Sequence, residues 1–365
     1  MASTRKRGTV LPVVSLVLAA GLVGCHGGGQ GGTAPNAAPQ STVRAAQAGL
    51  HGDLNGSGTP DITDAVGILR IIVGLDPANA IADCDCDGAT GITDAIALLR
   101  CLVGFDPWPI TCGPAPGDQM TGPDGQTLVW VPPGSFMMGS EEGYNHEKPV
   151  HQVTLDGFWV GQCEVTNDLY AGFLNEARPA DVTGWLRTSH PYCGVEYVEG
   201  VYRAKDSLGA YPVVLVSWYG AVAYCEHYGY ALPTEAQWEY AAAGPDARRY
   251  PWGADWDEAK CCNNNNTGPY DMTFPVGSFP DGVSWCGALD MAGNVGEWCA
   301  DWYAWDYYEE SPSLNPPGAA DGYTRALRGN SYYDSRGADF RCACRKNFVP
   351  ESQFDYHGFR CAWNG

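Results

Sequence analysis

The chain has 365 residues, 45% of them apolar and 12% aromatic, so it can form one or two globular domains with a sizeable core. Its formal net charge of −21 leaves no basic face for the phosphates of a nucleic acid, so we expect no nucleic-acid partner. The 47 glycines and 13 tryptophans predict an irregular, aromatic-packed fold rather than long helices.

Residues 1–25 have the pattern of an export signal. Residues 5–7 are basic, and residues 10–23 form an apolar run that is too short to span a membrane comfortably. The run ends at Gly24 and Cys25, which resembles a bacterial lipobox; the alternative is an ordinary signal peptide with a chance cysteine. The resemblance implies that Cys25 is diacylated. We therefore expect an exported protein, anchored by lipid to a bacterial membrane at the outer membrane or cell surface.

The next stretch, residues 26–50, is rich in Gly, Ala, Pro and Gln and almost free of charge, which predicts a flexible tether. The chain contains 15 cysteines, and setting Cys25 aside leaves an even number in an exported protein. Several disulfides are therefore expected, and the spacing alone leaves their connectivity open.

Residues 51–112 contain two copies of one pattern, about thirty residues apart. Each copy has a loop in which oxygen-bearing residues alternate, with glycine at the sixth position, and an apolar helix follows. Calcium prefers such oxygen ligands. The ligands predicted from the two loops are Asp53, Asn55, Ser57, Thr59 and Asp64 in the first, and Asp83, Asp85, Asp87, Ala89 and Asp94 in the second. Acidic turns without metal are the alternative.

One loop and one helix per copy, with Asp at position twelve, resembles a type I dockerin. The resemblance implies a small all-α calcium-binding domain and a cohesin-type protein as a possible partner. Because the module lies beside the expected membrane anchor, a spacer or intramolecular role is an equal alternative. Residues 113–125 are rich in Gly and Pro and predict a linker to the large domain, residues 126–365.

The large domain shows clear local signals. Alternating apolar residues in 128–142 predict a strand and hairpin. Ser217 can cap one helix, and Thr234 with Gln237 forms the capping box of a second. Residues 232–236 (LPTEA) and the closing residues 358–361 (GFRC) are the most specific motifs.

These motifs resemble the formylglycine-generating enzyme, or sulfatase-modifying factor, family. The resemblance implies an irregular α+β domain related to C-type lectins, and a disulfide between Cys225 and Cys361. It also implies a structural calcium site with side-chain oxygens at its ends and carbonyls between. The implied ligands are Asp290, Gly293, Val295 and Glu297.

The reactive site of that family is the feature that this chain lacks. In catalytic members two cysteines near the C-terminus bind copper(I), because soft thiolates select that ion. The corresponding run here, residues 332–340, contains no cysteine, so copper and formylglycine formation are not expected. A thiolate pair formed by Cys342 and Cys344 on one strand face would instead give a divergent oxidase acting on a sulfatase cysteine. A structural cell-envelope lipoprotein is a third reading.

Non-catalytic ligand binding is therefore the preferred hypothesis. Aromatic and polar side chains lie in the segment from Arg328 to Cys361, which we call the C-terminal frame. Such residues suit a glycan or peptide ligand. The candidate ligand-binding residues are Tyr332, Tyr333, Asp334, Asp339, Phe340, Asp355, Tyr356 and His357.

Overall fold

The computed structural model describes residues 52–56, 59, 61–77, 82, 84, 90–103, 114–268 and 272–364. The predicted signal, tether and Cys25 lie outside these residues. Among the described residues, no helix has the length and apolar character needed to span a membrane.

Two helices of equal length follow the predicted loops, α1 (Ile62–Ile72) and α2 (Ile92–Leu102). Ile68 and Leu98 hold equivalent positions in the two copies, and both are buried in one small core. Leu69 and Leu99, predicted to lie on the same apolar faces, are exposed instead. Each helix buries only a narrow stripe of residues against the other helix. The residue that follows the buried one therefore points outward.

The large domain combines short strands and helices in a mixed α and β arrangement. Its elements are β1 (Gln119–Thr121), β2 (Thr127–Val131), β3 (Gly134–Met138), β4 (His151–Leu155), β5 (Phe158–Gly161), α3 (Asn167–Ala177), β6 (Val195–Val198), β7 (Val201–Ala204), α4 (Trp218–Tyr228), α5 (Glu235–Ala243), β8 (Gly296–Trp302), β9 (Arg325–Arg328), β10 (Lys346–Phe348), β11 (His357–Gly358) and β12 (Ala362–Trp363).

Within residues 114–268 and 272–364 the strands form two four-stranded sheets and two hairpins. The first sheet has the order β1-β2-β5-β12 and is antiparallel, and the hairpins are β3-β4 and β6-β7. The second has the order β10-β9-β8-β11, with β11 parallel to β8. The C-terminal segment therefore contributes strands to both sheets and ties them together.

The strand and hairpin predicted for residues 128–142 are both present, as β2 and as the first strand of the β3–β4 hairpin, but β2 and β3 do not pair with each other. β2 pairs with β1 and β5, whereas β3 pairs with β4. Pro132 and Pro133 stand between β2 and β3 and lack the N–H groups that a paired connection needs. The chain consequently leaves the first sheet at this point.

The two predicted helix starts are confirmed. Ser217 accepts a hydrogen bond from the Gly220 N–H at the start of α4, and Thr234 and Gln237 form a capping box at the start of α5. Helix α5 is buried on most of its sides, and Trp238 and Tyr240 pack in the core. Its two glutamates, Glu235 and Glu239, are therefore also inside the domain.

Candidate functional site

Buried ion pairs hold the C-terminal segment to α5. The Arg345 guanidinium donates to both oxygens of Glu235 at 2.7 and 2.8 Å. Arg328 donates to Glu239 and, at 2.8 Å, to the Cys344 carbonyl. All four charged side chains are at most 2% exposed. Each buried charge has a charged partner. These ion pairs therefore hold the segment after β9 against α5 in a part of the domain that solvent does not reach.

Another buried ion pair joins Glu297 to Arg360. Arg360 donates to both carboxylate oxygens of Glu297 at 2.6 Å and to the Gly161 carbonyl at 3.0 Å. The Trp238 Nε1–H donates to Glu297 at 2.8 Å. Burial lowers the pKa of Arg360, but the charge and hydrogen bonds of Glu297, together with the charge of Glu164, raise it overall. Glu297 was predicted as a calcium ligand, and here its carboxylate is engaged by Arg360 instead.

Asp290, another predicted calcium ligand, lies beside a carboxyl that the sequence reading missed. This residue is Glu164, at the start of the Glu-Val-Thr motif before α3; Glu164 and Asp290 are both buried. Asn294 donates to Glu164 Oε1 at 3.1 Å, and the Gly277 N–H donates to Asp290 at 2.5 Å. Oε2 of Glu164 receives no hydrogen bond from the described residues.

This carboxyl pair is electrostatically unbalanced. Burial raises the pKa of Glu164, and the charge of Asp290 raises it further. Burial likewise raises the pKa of Asp290. Two ionised carboxylates in one buried place repel, so the pair needs a proton or a cation. No cluster of three or more His, Cys, Asp or Glu side chains fit to hold a metal occurs among the described residues, so any cation here would also use carbonyl oxygens.

The loop that carries Asp290 is shaped for close packing. Gly293 has φ +81°, and a Cβ placed on it would lie 2.0 Å from the Cys262 carbonyl oxygen. Only glycine fits this position, because both the backbone angle and the contact exclude a side chain. Val295, predicted to contribute a carbonyl, is buried immediately before β8.

The thiols near the C-terminus are buried and held in the protonated state. Burial raises the pKa of Cys344 to about 11, and it also raises that of Cys342. The prediction that these two cysteines share a strand face is wrong, because both precede β10 in a turn. A thiolate is the reactive form of cysteine, and burial disfavours that form at both residues.

Two predicted ligand-binding residues, Tyr333 and Tyr356, belong to one partly exposed aromatic cluster. The Tyr333 and Tyr356 rings stack with centroids 5.7 Å apart, and Phe354 stacks on Tyr356 at 5.2 Å. Phe348 contacts Phe354 edge-on at 5.6 Å. We call these four residues the aromatic patch. Tyr333 is its most exposed member, with 68% of its surface accessible.

Polar groups border the aromatic patch. Asp334 accepts a hydrogen bond from Lys346 at 2.7 Å and one from the Ser331 N–H at 3.0 Å. Asp355 is half-buried, and its charge contributes to a raised pKa at Tyr332, after burial, which is the larger cause. The patch therefore joins ring faces to fixed charges.

Four predicted ligand-binding residues are buried in the domain. Tyr332 is only 6% exposed, and Phe340 stacks on Trp256 at 5.0 Å. Asp339 is held by Arg336 at 2.9 Å and accepts from the Tyr144 hydroxyl at 3.0 Å. The fourth is His357, which lies under the patch. Of these four residues, His357 contacts the rings of the patch.

His357 is enclosed by aromatic rings, with Phe348 at 4.3 Å and Trp298 at 5.1 Å between centroids. Neither ring nitrogen has a hydrogen-bond partner among the described residues. Burial lowers the pKa of His357 from 6.5 to about 3, and the charge of Lys346 adds to this. The imidazole is therefore neutral in the folded protein.

Acid should destabilise the domain through His357. The pKa of His357 is lower in the folded protein than in the unfolded chain, so protonation favours the unfolded chain. The free energy of unfolding is therefore unaffected above pH 6.5 and falls as the pH drops toward 3. We expect urea titrations to show that His357→Phe removes about 2 kcal/mol of the stability loss between pH 7 and pH 5. An unchanged pH dependence in the variant would show that His357 does not carry this effect.

In the repeated segment the predicted ligands are only partly described. The carboxylate at position twelve, Asp64 or Asp94, accepts hydrogen bonds from two backbone N–H groups in each copy. The two copies thus share the same local arrangement. Asp53, Asn55 and Thr59 also lie among the described residues. The predicted ligands outside the described residues are Ser57, Asp83, Asp85, Asp87 and Ala89.

Cys225 and Cys361 are brought together from α4 and the segment before β12. Their sulfur atoms are 3.6 Å apart, and both side chains are buried. The cysteines are not bonded in this structure. The pairing implied by the family motif therefore stays a prediction for an oxidising compartment.

Comparison with known proteins identifies the family of the large domain. Residues 115–365 match the family model of the sulfatase-modifying factor enzyme 1-like domain. The formylglycine-generating enzyme of Streptomyces coelicolor is 36% identical over 283 residues, which cover 64% of this chain and 88% of that protein. The inactive C-alpha-formylglycine-generating enzyme 2 of Bos taurus is 30% identical over 283 residues. The match covers 66% of this chain and 89% of that protein.

Two further matches differ in how much of the other protein is covered. The serine/threonine-protein kinase Pkn1 of Chlamydia trachomatis is 37% identical over 253 residues, 64% of this chain, and the match spans 38% of the kinase's own length. The structure of PvdO from Pseudomonas aeruginosa superposes with a TM-score of 0.56 at 28% identity, covering 69% of this chain and 99% of that one. The chain belongs, over residues 115–365, to the sulfatase-modifying factor family, which includes the formylglycine-generating enzymes.

Proposed function

We propose that this protein is an exported, lipid-anchored binding protein whose sulfatase-modifying-factor domain is not catalytic. The observation that carries the proposal is the absence of any cysteine from residues 332–340, where the family's copper-binding thiols are expected. The nearest thiols, Cys342 and Cys344, are buried, with raised pKa values. A divergent oxidase would need thiolates that this environment disfavours.

Ligand binding takes place at the aromatic patch. Its stacked rings offer flat apolar faces, and Asp355 and the Asp334–Lys346 pair offer hydrogen-bonding groups at its border. Stacking combined with polar contacts suits a glycan or a peptide. Phe348 and Phe354 of the patch pack on the buried His357 ring, at 4.3 and 5.2 Å between centroids, so the ligand meets a surface that already rests on the core.

Truncating the patch should weaken binding. We expect Tyr333→Ala to reduce affinity for the best ligand on glycan and peptide arrays by at least about tenfold, because exposed tyrosines at a contact centre act as anchors. The matched control is Tyr197→Ala, since Tyr197 is 59% exposed on the β6–β7 hairpin. Equal losses in the two variants, or no array signal for the unaltered chain, would count against the patch.

Calcium is the cofactor that the domain would use. Glu164 and Asp290 would hold it, with carbonyls such as those of Gly293 and Val295 completing the set. Burial and the charge of Asp290 raise the pKa of Glu164 although Arg360 lowers it, which supports the assignment, and Glu297 is bound by Arg360 in this arrangement. The ion would neutralise two buried carboxylates and fix the loop before β8. The two loops of the repeated segment would bind further calcium ions.

The N-terminal part would position the domain. Acylation at Cys25 would anchor the chain to a bacterial membrane, and residues 26–50 would act as the tether. The repeated segment would then serve as a calcium-dependent module for a cohesin-type protein, or as a spacer. Its duplicated helices support this reading, because each copy exposes the same apolar position, Leu69 or Leu99.

A further inference from the structure

Helices α1 and α2, each taken with the residue that follows it, expose a row of large aliphatic side chains. In the first copy the row is 42–67% accessible and consists of Ile62, Val66, Leu69 and Val73. In the second copy the equivalent row is 40–65% accessible and consists of Ile92, Ile96, Leu99 and Val103. We call these eight residues the apolar rows. Among the described residues of α3, α4 and α5, the exposed large apolar side chains amount to that of Tyr219.

Each row lies on a helix face that the shared core of α1 and α2 leaves free. At 3.6 residues per turn, the four positions of one row fall within an arc of about 60° around the helix. Ile68 and Leu98, which pack together in that core, lie about 130° from the centre of their rows. Both helices therefore have two apolar faces, and an exposed face of this kind marks an interaction site.

The spacing of the rows indicates that the partner surface is helical. Each row advances by four, three and four residues, which is the alternation of d and a positions along a helix seam. Leu69 and Leu99 then occupy d positions, and the a positions carry β-branched side chains, those of Val66, Val73, Ile96 and Val103. β-Branched residues at a with leucine at d favour the pairing of two helices.

The composition of the rows favours a second copy of this chain. The rows lack the aromatic residues and arginines that anchor contacts between different proteins, whereas aliphatic surface is typical of homodimers. Eight such side chains offer roughly 700 Å² per copy, close to the ~800 Å² that one partner buries in a standard interface. An anionic lipid surface is disfavoured, because residues 51–112 contain nine aspartates, two arginines and no lysine.

We propose that two copies of this chain associate through the apolar rows, with α1 and α2 of one copy packed on α1 and α2 of the other. Because the repeat gives each copy two equivalent rows, the same surface serves both partners, as a two-fold symmetric interface requires. The inference rests on the docking role proposed for the repeated segment and does not involve the aromatic patch.

Energy transfer between full-length chains tests the association. Copies labelled at the C-terminus with a donor or an acceptor are reconstituted together in phosphatidylcholine vesicles with calcium. Transfer between unaltered copies should exceed that of randomly placed chains at the same surface density. Val66→Lys with Ile96→Lys in both copies should weaken association at least about hundredfold, because the charges would be buried in the interface. The matched control, Val201→Lys with Leu314→Lys, alters two exposed apolar residues of the large domain and should leave the transfer unchanged.

Opposite charges test whether the rows meet each other. Copies with Val66→Glu and Ile96→Glu should also fail to associate among themselves, and mixing them with the lysine copies should restore the transfer. Restoration would also show that both variants are folded. The proposal is overturned by an absence of transfer between unaltered copies, by full transfer in the lysine variant, or by a mixture that restores nothing.

The same preparations distinguish the other partners. Unaltered copies that show no transfer but bind a purified cohesin-type protein in calcium would leave the docking role in place and overturn the self-association alone. Absence of both would overturn the docking role as well. Slowed hydrogen exchange in α1 and α2 on vesicles, without transfer, would assign the apolar rows to lipid and contradict the proposal.

Discussion

Replacing Arg360 by leucine should lower the free energy of unfolding of the large domain by about 3–5 kcal/mol, because one partner of a fully buried ion pair is removed. Glu297 would keep the hydrogen bond from Trp238 but lose both contacts to the guanidinium. Three backbone carbonyls would lose a donor as well, those of Gly161, Gln162 and Leu289. Urea unfolding followed by tryptophan fluorescence measures the loss.

The matched control is Arg203→Leu. Arg203 also pairs with a glutamate at 3.0 Å, but its side chain is 60% exposed on the β6–β7 hairpin. Exposed pairs contribute about 0–1 kcal/mol, so this variant should stay close to the unaltered chain. Similar losses in the two variants would mean that burial does not decide the strength of the Arg360 contact.

Calcium should stabilise the large domain through the carboxyl pair. At a calcium concentration about 100 times the dissociation constant, we expect a gain near 2.7 kcal/mol in the free energy of unfolding, since the ion binds only the folded site. Chelation should remove the gain. The measurement is urea unfolding in calcium and in chelator, followed by the tryptophan fluorescence of the large domain.

Glu164→Gln separates this site from the calcium loops of the repeated segment. The variant should show no calcium gain in the large domain, and without calcium it should be at least as stable as the unaltered chain, because a buried carboxylate repulsion is relieved. Glu176→Gln, which alters an exposed glutamate on α3, should keep the full gain. A full gain in Glu164→Gln would exclude the carboxyl pair as the site.

Local sequence signals account for the helix starts. Ser217 and Thr234 were predicted as caps because a cap depends on residues three positions apart. Strand pairing was harder to predict, because β3 pairs with β4 across a long loop. The strand next to it in sequence, β2, belongs to a different sheet. The family motifs supplied the fold, because the frame from Arg328 to Cys361 lies in the segment that ties both sheets together.

The site was predicted less completely than the fold. Glu164 and Asp290 are far apart in sequence, and only the folded chain places them together. His357 and Phe340 have side chains typical of binding surfaces, but burial decides their role and is not visible in a turn sequence. Tyr333 is exposed, whereas Tyr356 is half-buried because its ring packs edge-on against the buried His357.

The central claim is that the domain has kept the family's frame without its thiol chemistry. The most direct measurement incubates the full-length chain with copper, oxygen and a sulfatase-type cysteine peptide, and follows the peptide thiol and aldehyde by mass spectrometry. We expect the thiol to persist, because residues 332–340 offer no cysteine and the nearby thiols are buried. Oxygen-dependent conversion of the peptide cysteine to formylglycine would contradict the account.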